Sequence, residues 1–480
     1  MSLKQKAAAG LFWTFTQQFS GQLISFVVSI ILARLLSPKE FGLIGMLSIF
    51  ISVGNSLIDS GMTSSIVRTA SVDQRDYSTV FFLNIISSLA IYTIVFFCAP
   101  YIAHFYGHPQ LKDIVRVYSL TFVFSAFMGI QGAKLTKDMD FKSQMMINLP
   151  SVIGGGILGV SLAYYGFGVW SLVYMYLFQG FLLAAQHWIY SPWRPSWVFD
   201  FDKFKYHFNF GYKITISGLL STLYDNIFTI IIGKNYSATQ LGYYNRALSV
   251  RQMPISNLSA ALGKVTYPIF SSIQGDDNKL KEVYKRLIQQ VIFWIVPLLI
   301  LLIVVAEPFF RLLLTEKWLP AVPYFQILCL SGMLYPLITY NYNIIKVKGR
   351  TDLTLKLQIV KKTFGIAGIF VAIKFGIYGL LYFQLISYIV DYNLDAYYGG
   401  RMINYPITQQ IKDISPSVTL AAILGVLVWL LDKFLLQQFH LFDFVRLLIA
   451  SFLYFGVYLS ISRLIKLAPL LDFENLVRKK

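Results

Sequence analysis

Residues 8–36 read AAGLFWTFTQQFSGQLISFVVSIILARLL. Only one side chain in the stretch is charged, Arg34, and it stands near the end. Thr14, Gln18, Gln22, Ser25 and Ser29 recur at intervals of three and four, which puts them on one arc of a helix, whereas a strand would alternate at two. About 20 mainly apolar residues suffice to cross the hydrocarbon core of a bilayer. The run exceeds that length and follows a basic start, MSLKQK. It is too long for a signal-peptide core and no convincing cleavage site follows it, so it is expected to be a retained first transmembrane helix.

The same pattern recurs along the chain. It predicts fourteen helices, at roughly 8–36, 41–66, 78–103, 113–135, 145–165, 168–190, 207–233, 240–270, 284–306, 320–345, 354–374, 377–399, 416–436 and 442–465. The eighth is polar for its position and carries Pro254 and Pro268. No loop is much longer than about twenty residues, which leaves no room for a soluble domain. Composition agrees: 56% of the 480 residues are hydrophobic, 13% are charged, and the mean hydropathy is +0.60. Soluble domains run about 45–50% apolar and about 25% charged. The expected class is an all-α, multi-pass membrane protein; disorder, collagen-like sequence and a compact cytosolic enzyme are excluded.

A net charge of +18 often signals nucleic acid, but here the basic residues are spread between apolar runs rather than gathered on one face. No nucleic-acid partner is expected. An even number of helices places both termini on one side. That side holds 28 of the 41 lysines and arginines, the opposite side 10, and the eighth helix three. The bias predicts cytoplasmic termini. Cys98 and Cys329 lie in apolar runs and behave as small hydrophobic residues, with no disulfide or metal-ligand spacing.

An internal repeat appears at an offset of 200. Ile30-Ile31-Leu32-Ala33-Arg34-Leu35-Leu36-Ser37 stands over Ile230-Ile231-Ile232-Gly233-Lys234-Asn235-Tyr236-Ser237, and Phe41-Gly42 over Leu241-Gly242. It predicts two similarly oriented six-helix halves, 1–200 and 201–405, followed by two additional helices and a tail in 406–480. In transporters built from such halves the site lies between them near the midplane.

The polar residues inside the helices supply the candidates. Predicted helix 2 carries Ser48, Ser52, Asn55, Asp59 and Thr63 on one arc, and helix 1 the arc that includes Gln18. Helix 7 carries Ser221, Thr222, Asp225 and Thr229; helix 8 carries Asn245, Ser249, Gln252 and Ser256, flanked by Arg246, Asn257 and Lys264. Helices 1, 2, 7 and 8 are repeat-equivalent pairs, so a water-filled cavity is favoured over scattered interhelical glue. A charge facing lipid at a helix centre costs about 2.5–3.5 kcal/mol, so Asp59, Asp225, Arg246, Arg251 and Lys264 must face water or each other. Arg251 points about 140° away from Arg246, and an interhelical partner is an equal reading for it. Gln384, Ser387, Asp391 and Asp395 form a further stripe on helix 12, which Lys361 and Lys362 are placed to pair with. A structural ion pair is the leading reading there, with Asp391 also a candidate for ion or proton coupling. Glu307 is expected to be solvated, and His104 and His108 to lie in an outer loop. The chain has no P-loop, zinc-binding His-Glu-x-x-His or Gly-x-Ser-x-Gly elbow, and no cofactor is implied.

The stretch Ile31-Leu32-Ala33-Arg34-Leu35-Leu36-Ser37-Pro38-Lys39-Glu40-Phe41-Gly42 resembles the first-loop signature of the bacterial polysaccharide transporter family. These are Wzx-type flippases of the multidrug/oligosaccharidyl-lipid/polysaccharide exporter superfamily. Asp59-Ser60-Gly61-Met62 with Val67-Arg68, Leu241-Gly242-Tyr243-Tyr244-Asn245-Arg246-Ala247, and Glu316-Lys317-Trp318 leading to Ala321-Val322-Pro323 are similar to further family stretches. The resemblance covers essentially the whole chain. It implies two six-helix lobes in a V, alternating access, and a lipid-linked oligosaccharide on polyprenyl diphosphate as cargo. It also implies basic cavity residues, which Arg246, Arg251 and Lys264 fit, and cavity acids, which Asp59 and Asp225 fit. H+ or Na+ is a candidate coupling ion, and polysaccharide polymerase and assembly proteins are candidate partners. A cation-coupled multidrug exporter would want an acidic, aromatic cavity, against which the basic residues of helix 8 argue. A lipid II flippase is nearer in chemistry, and a membrane glycosyltransferase would need larger outer loops.

Overall fold

The computed structural model describes residues 3–59, 61–439 and 441–478, with the side chains of these except 3–9, 11, 256–269 and 476–478. Among the described residues there is no strand. The first helices are α1 (Leu3–Leu35), α2 (Pro38–Asp59), α3 (Met62–Arg68), α4 (Gln74–Tyr106), α5 (Leu111–Tyr118) and α6 (Thr121–Lys137). There follow α7 (Phe141–Tyr164), α8 (Val169–Tyr190), α9 (Phe201–Asp225), α10 (Ile227–Asn235) and α11 (Ala238–Ser272). Then come α12 (Asp277–Val304), α13 (Ala306–Leu314), α14 (Val322–Val347), α15 (Thr351–Ala372) and α16 (Gly376–Met402). The last are α17 (Ile407–Leu431), α18 (Asp443–Leu464) and α19 (Ala468–Arg478).

Eleven helical stretches among the described residues are long and apolar enough to cross a membrane, or twelve with the bent pair α9–α10 as one span. The expectation of fourteen is not reached by length and composition, for two physical reasons. A short 3-10 turn, Ile373–Phe375, joins α15 to α16, so 351–402 runs as one helical stretch. The two helices nonetheless pack on each other, with the rings of Phe364 and Phe383 5.7 Å apart. The second reason is α11, which carries Arg246, Arg251 and Lys264 and is polar for a span.

Local signals in the sequence explain how helices begin. Ser37 precedes α2, Pro38 is its first residue, and the Glu40 carboxylate accepts from the Ser37 N–H at 2.6 Å and its hydroxyl at 2.9 Å. This is half of a capping box, with proline where its missing N–H costs nothing. The repeat-equivalent Ser237 and Gln240 form the full box at the start of α11. The Gln240 N–H donates to the Ser237 hydroxyl at 3.2 Å, and the Ser237 N–H to the Gln240 side chain at 3.4 Å.

The chain divides into two compact units, Met1–Gly242 and Tyr243–Lys480. The packing boundary thus falls beyond the 200/201 division drawn from the repeat, because α9 and α10 pack on α2 and α4, and α9 also on α3. In the first unit α7 packs on α1 and α8 through Gly154-Gly155-Gly156-Ile157-Leu158-Gly159. Gly156 lies against Val28, and Gly159 against Met175. Small residues allow helices to close without a hydrophobic drive between them. Between α9 and α10 the axis bends by 46° at Asn226, whose side chain turns back to donate to the Thr222 carbonyl at 2.8 Å.

In the second unit α14 packs on α12 and α16, and α12 also on α17. The buried amides of Asn341 and Gln410 bond each other twice, at 3.1 Å each. The last two long helices belong to this unit. Tyr458 of α18 donates to the Phe293 carbonyl of α12 at 3.1 Å, and Tyr454 to that of Ala421 on α17 at 3.0 Å.

Candidate functional site

In the first unit, α1 and α2 keep the polar arcs read from the sequence. Gln18, Asn55 and Asp59 are half-buried. Buried side-chain oxygens of Gln22 and Asn55 have no hydrogen-bond partner among the described residues. A buried amide oxygen left without a donor costs about 1–3 kcal/mol, so these oxygens fit surfaces that meet water or a ligand. Asp59 makes no ion pair among the described residues. Asp225 is exposed and is the last residue of α9, immediately before the bend.

In the second unit the cations of α11 separate. Arg246 is 7% exposed and its guanidinium lies 5.2 Å from the Trp318 ring centroid, a cation–π arrangement. Asn245 beside it is half-buried. Arg251 faces α14, where it donates to the Ser331 hydroxyl at 3.2 Å and the Leu328 carbonyl at 3.4 Å. It also bonds the Gln252 side chain at 3.1 Å. The structure therefore gives Arg251 interhelical partners and does not bring it to Arg246. The side chain of Lys264 lies outside the described residues. Lys361 of α15 pairs with Asp395 of α16 at 2.8 and 2.9 Å, both side chains being buried, and Tyr342 stacks beneath the ammonium at 5.4 Å. Asp391 is half-buried, one turn from Asp395.

Two clusters carried no sequence signal. In the first unit the Asp76 carboxylate receives His207 Nε2 at 3.1 Å, Lys203 at 2.9 Å and the Asp73 N–H at 2.9 Å. Ser65 lies 2.8 Å from His207 Nδ1. A carboxylate only accepts, so Nε2 carries a proton, and in the neutral ring the serine hydroxyl donates to Nδ1. The order serine, histidine, carboxylate is that of a hydrolytic triad, with the two ring nitrogens exchanged. With Ser65 3% and His207 0% exposed, the hydroxyl is closed to an acyl substrate, and the chain of bonds serves to join α3, α4 and α9. Asp73, in the turn before α4, is held below the usual carboxylate range by the Asp76 N–H and the Lys203 ammonium.

The other cluster lies in the second unit. Arg446 grips Asp432 at 2.7 and 3.0 Å and Asp443 at 3.2 Å; Arg311 reaches Asp443 at 3.4 Å and Glu307 at 2.6 Å. Glu307 is thus ion-paired rather than simply solvated. The network borders a cavity of about 450 Å³ and ties α13 to α18 and to the turn after α17.

Eleven or twelve helical stretches long and apolar enough to cross a membrane, among the described residues, define the fold of a multi-pass membrane protein. A family described as "Polysaccharide biosynthesis protein" matches residues 31–323, and the chain belongs to this family. It is 26% identical over 443 residues to the "Teichuronic acid biosynthesis protein TuaB" of Bacillus subtilis (strain 168), spanning 88% of this chain and 90% of that one. It is also 26% identical over 404 residues to the "Lipopolysaccharide biosynthesis protein WzxC" of Escherichia coli (strain K12), spanning 82% and 81%. The fold is shared with a solved structure of "Lipid II flippase MurJ, inward closed conformation". The TM-score is 0.74 at 13% identity, over 95% of this chain and 99% of that one.

Proposed function

We propose that this protein is a flippase. It moves a polyprenyl-diphosphate-linked oligosaccharide from the cytoplasmic to the outer leaflet of the bacterial inner membrane, for surface polysaccharide, by alternating access. Both termini are cytoplasmic. Residues 1–200 and 201–405 act as two lobes, with 406–480 appended, and the chain carries no catalytic function. The observation that supports this most is Arg246, a guanidinium buried on Trp318 within a bundle whose family is that of polysaccharide biosynthesis proteins. A diphosphate crossing a bilayer needs such a partner, and arginine supplies paired donors. Asn245, Lys264 and, from the first lobe, Gln18 and Asn55 complete the polar lining; Arg251 contributes by fixing α11 to α14. Outward movement of the anion is favoured by a negative-inside potential, by about 2.3 kcal/mol per charge per 100 mV. Coupling to H+ or Na+ through Asp59, Asp225 or Asp391 adds to that drive. Polymerase and assembly proteins receive the product.

The test is export in a deletion strain complemented by variants. Arg246→Ala is expected to abolish surface polysaccharide while the protein persists in the membrane and complete lipid-linked units accumulate inside. Export at the wild-type level by that variant removes Arg246 from the mechanism. Undiminished export without any copy of the gene removes the flippase reading itself.

A further inference from the structure

The first unit contains a cavity of about 620 Å³, its walls mainly apolar with a few polar groups, within the range of about 300–1,000 Å³ typical of small-molecule sites. It is bounded by α1, α3, α6, α7 and α8 at the end of the unit where α3, α6 and α8 finish and α7 begins. Gln17, Thr63, Ser64, Arg68, Asn148 and His187 supply its polar lining, beside Thr136 and Gln144, whose side chains bond each other at 3.1 Å. The side chains of Gln17, Thr63, Ser64 and Asn148 have no hydrogen-bond partner among the described residues. Arg68 makes no hydrogen bond or ion pair among them either. Its guanidinium lies 4.5 Å from the Phe210 ring centroid, which holds it in place without using its N–H groups. His187 Nδ1 lies 2.8 Å from the Leu183 carbonyl, which can only accept. That fixes the proton on Nδ1 and leaves the Nε2 lone pair directed over Gly132, where a Cβ would stand 3.6 Å away. No carboxylate lines the cavity.

This lining has a definite preference. Five N–H groups of a guanidinium and two primary amides offer donors to anionic oxygens. The imidazole lone pair, the amide oxygens and two hydroxyls offer acceptors to ligand hydroxyls. The absence of carboxylates excludes cations as the favoured occupant. A phosphate flanked by hydroxyls satisfies both sets. We propose that this cavity binds the sugar–phosphate headgroup of the lipid-linked cargo as a loading site within the first unit, before the central passage. The proposal rests on the flippase reading, whose charge bias puts this end of the unit in the cytoplasm.

The experiment is photo-crosslinking in cells that make their own polysaccharide, with the full-length protein. Met128, which borders the cavity, is replaced by p-benzoylphenylalanine; Leu183, also on its wall, is the alternative position if that variant fails to support export. Ile157 of α7, 63% exposed and away from the cavity, is the control. Irradiation is expected to yield an adduct carrying a diphosphate-linked glycan at Met128 and none at Ile157. Adding Arg68→Ala with Asn148→Leu is expected to lower that adduct at least tenfold while the protein level holds. Phospholipid adducts alone at both positions, in cells whose export depends on the gene, overturn the loading site and leave the flippase reading standing. A glycan adduct indifferent to the double substitution also overturns it. Export that continues without the gene overturns both.

Discussion

Gly42 and Gly242, whose numbers differ by 200, stand in reciprocal contacts: a Cβ on Gly42 would run into the carbonyl of Ala238, and one on Gly242 into that of Pro38. Each glycine therefore meets the residue four positions before the other. The starts of α2 and α11 cross there backbone to backbone, with the two capping serines close by in sequence. Backbone atoms have no rotamer by which to withdraw, so Gly42→Ala and Gly242→Ala are each expected to lose about 1–3 kcal/mol or more from overpacking. Gly218 lies in α9, and a methyl group added to it would find no atom within 4 Å. Gly218→Ala is expected to be neutral or to gain up to about 1 kcal/mol of helix propensity. Thermal unfolding of the three variants in one detergent checks this, and a Gly242→Ala variant as stable as the wild type refutes the crossing.

That relationship shows what the sequence made legible. Phe41-Gly42 over Leu241-Gly242 needed no coordinates to be noticed, and Ser37 and Ser237 are followed three residues later by Glu40 and Gln240, a local capping signal. Span positions were equally readable, since each depends on neighbours three or four residues away. The pairing of Lys361 with Asp395 was accessible because both lie on adjacent predicted helices. Contacts between distant segments were not. Nothing near His207 indicates that Asp76, on another helix, accepts its proton, and nothing near Arg68 indicates the ring of Phe210. The span count departed at α15 and α16 because a 3-10 turn keeps the chain helical through a reversal that sequence reading treats as a loop.

The Lys361–Asp395 pair separates a structural from a functional role. Removing one member of a buried ion pair strands the other and costs about 3–5 kcal/mol, whereas replacing both by apolar residues is often neutral. Lys361→Met and Asp395→Leu are each expected to lower the unfolding midpoint, and the double variant to recover most of it. Export by the recovered double variant is the deciding measurement. If it is normal, the pair only holds α15 to α16; if it is absent in a stable protein, coupling passes through this site and Asp391 becomes its next member to test.

Asp73 gives a pH dependence with a definite sign. The Asp76 N–H and the Lys203 ammonium hold its carboxyl below its ordinary value. A depressed acid stabilises the fold fully above its unfolded-state pKa of about 3.9 and loses that contribution as pH falls through the lower folded value. The Asp73 side chain is 57% exposed, so solvent screens the effect. Asp73→Ala is expected to cost about 1 kcal/mol at neutral pH through the lost helix cap. The gap from the wild type should narrow below about pH 4; a gap that stays constant from pH 7 to pH 3 would show that the charge plays no part.

The Asp76–His207 bond is a buried polar tie between α9 and α4. Asp76 is 2% exposed, and its two oxygens receive His207, Lys203 and the Asp73 N–H. Asp76→Ala takes away all three acceptor contacts at once, leaves His207 buried with a proton and no acceptor, and opens the capping box of α4. A loss of about 3–5 kcal/mol is expected. His207→Leu instead preserves the capping box and the Lys203 contact, removing one donor to Asp76 and the acceptor of Ser65; about 1–3 kcal/mol for each stranded group is expected. The two variants together should lose less than the sum of the singles, because they share one bond. Proteolysis in membranes at the 191–200 linker reads the same tie locally: weakening it should expose this segment, whose Asp200 N–H is otherwise held by Thr79 of α4 at 3.0 Å. Additive losses, with the linker as resistant as in the wild type, would mean that α9 is held by its apolar packing on α2 and α3 and that the polar chain is incidental to it.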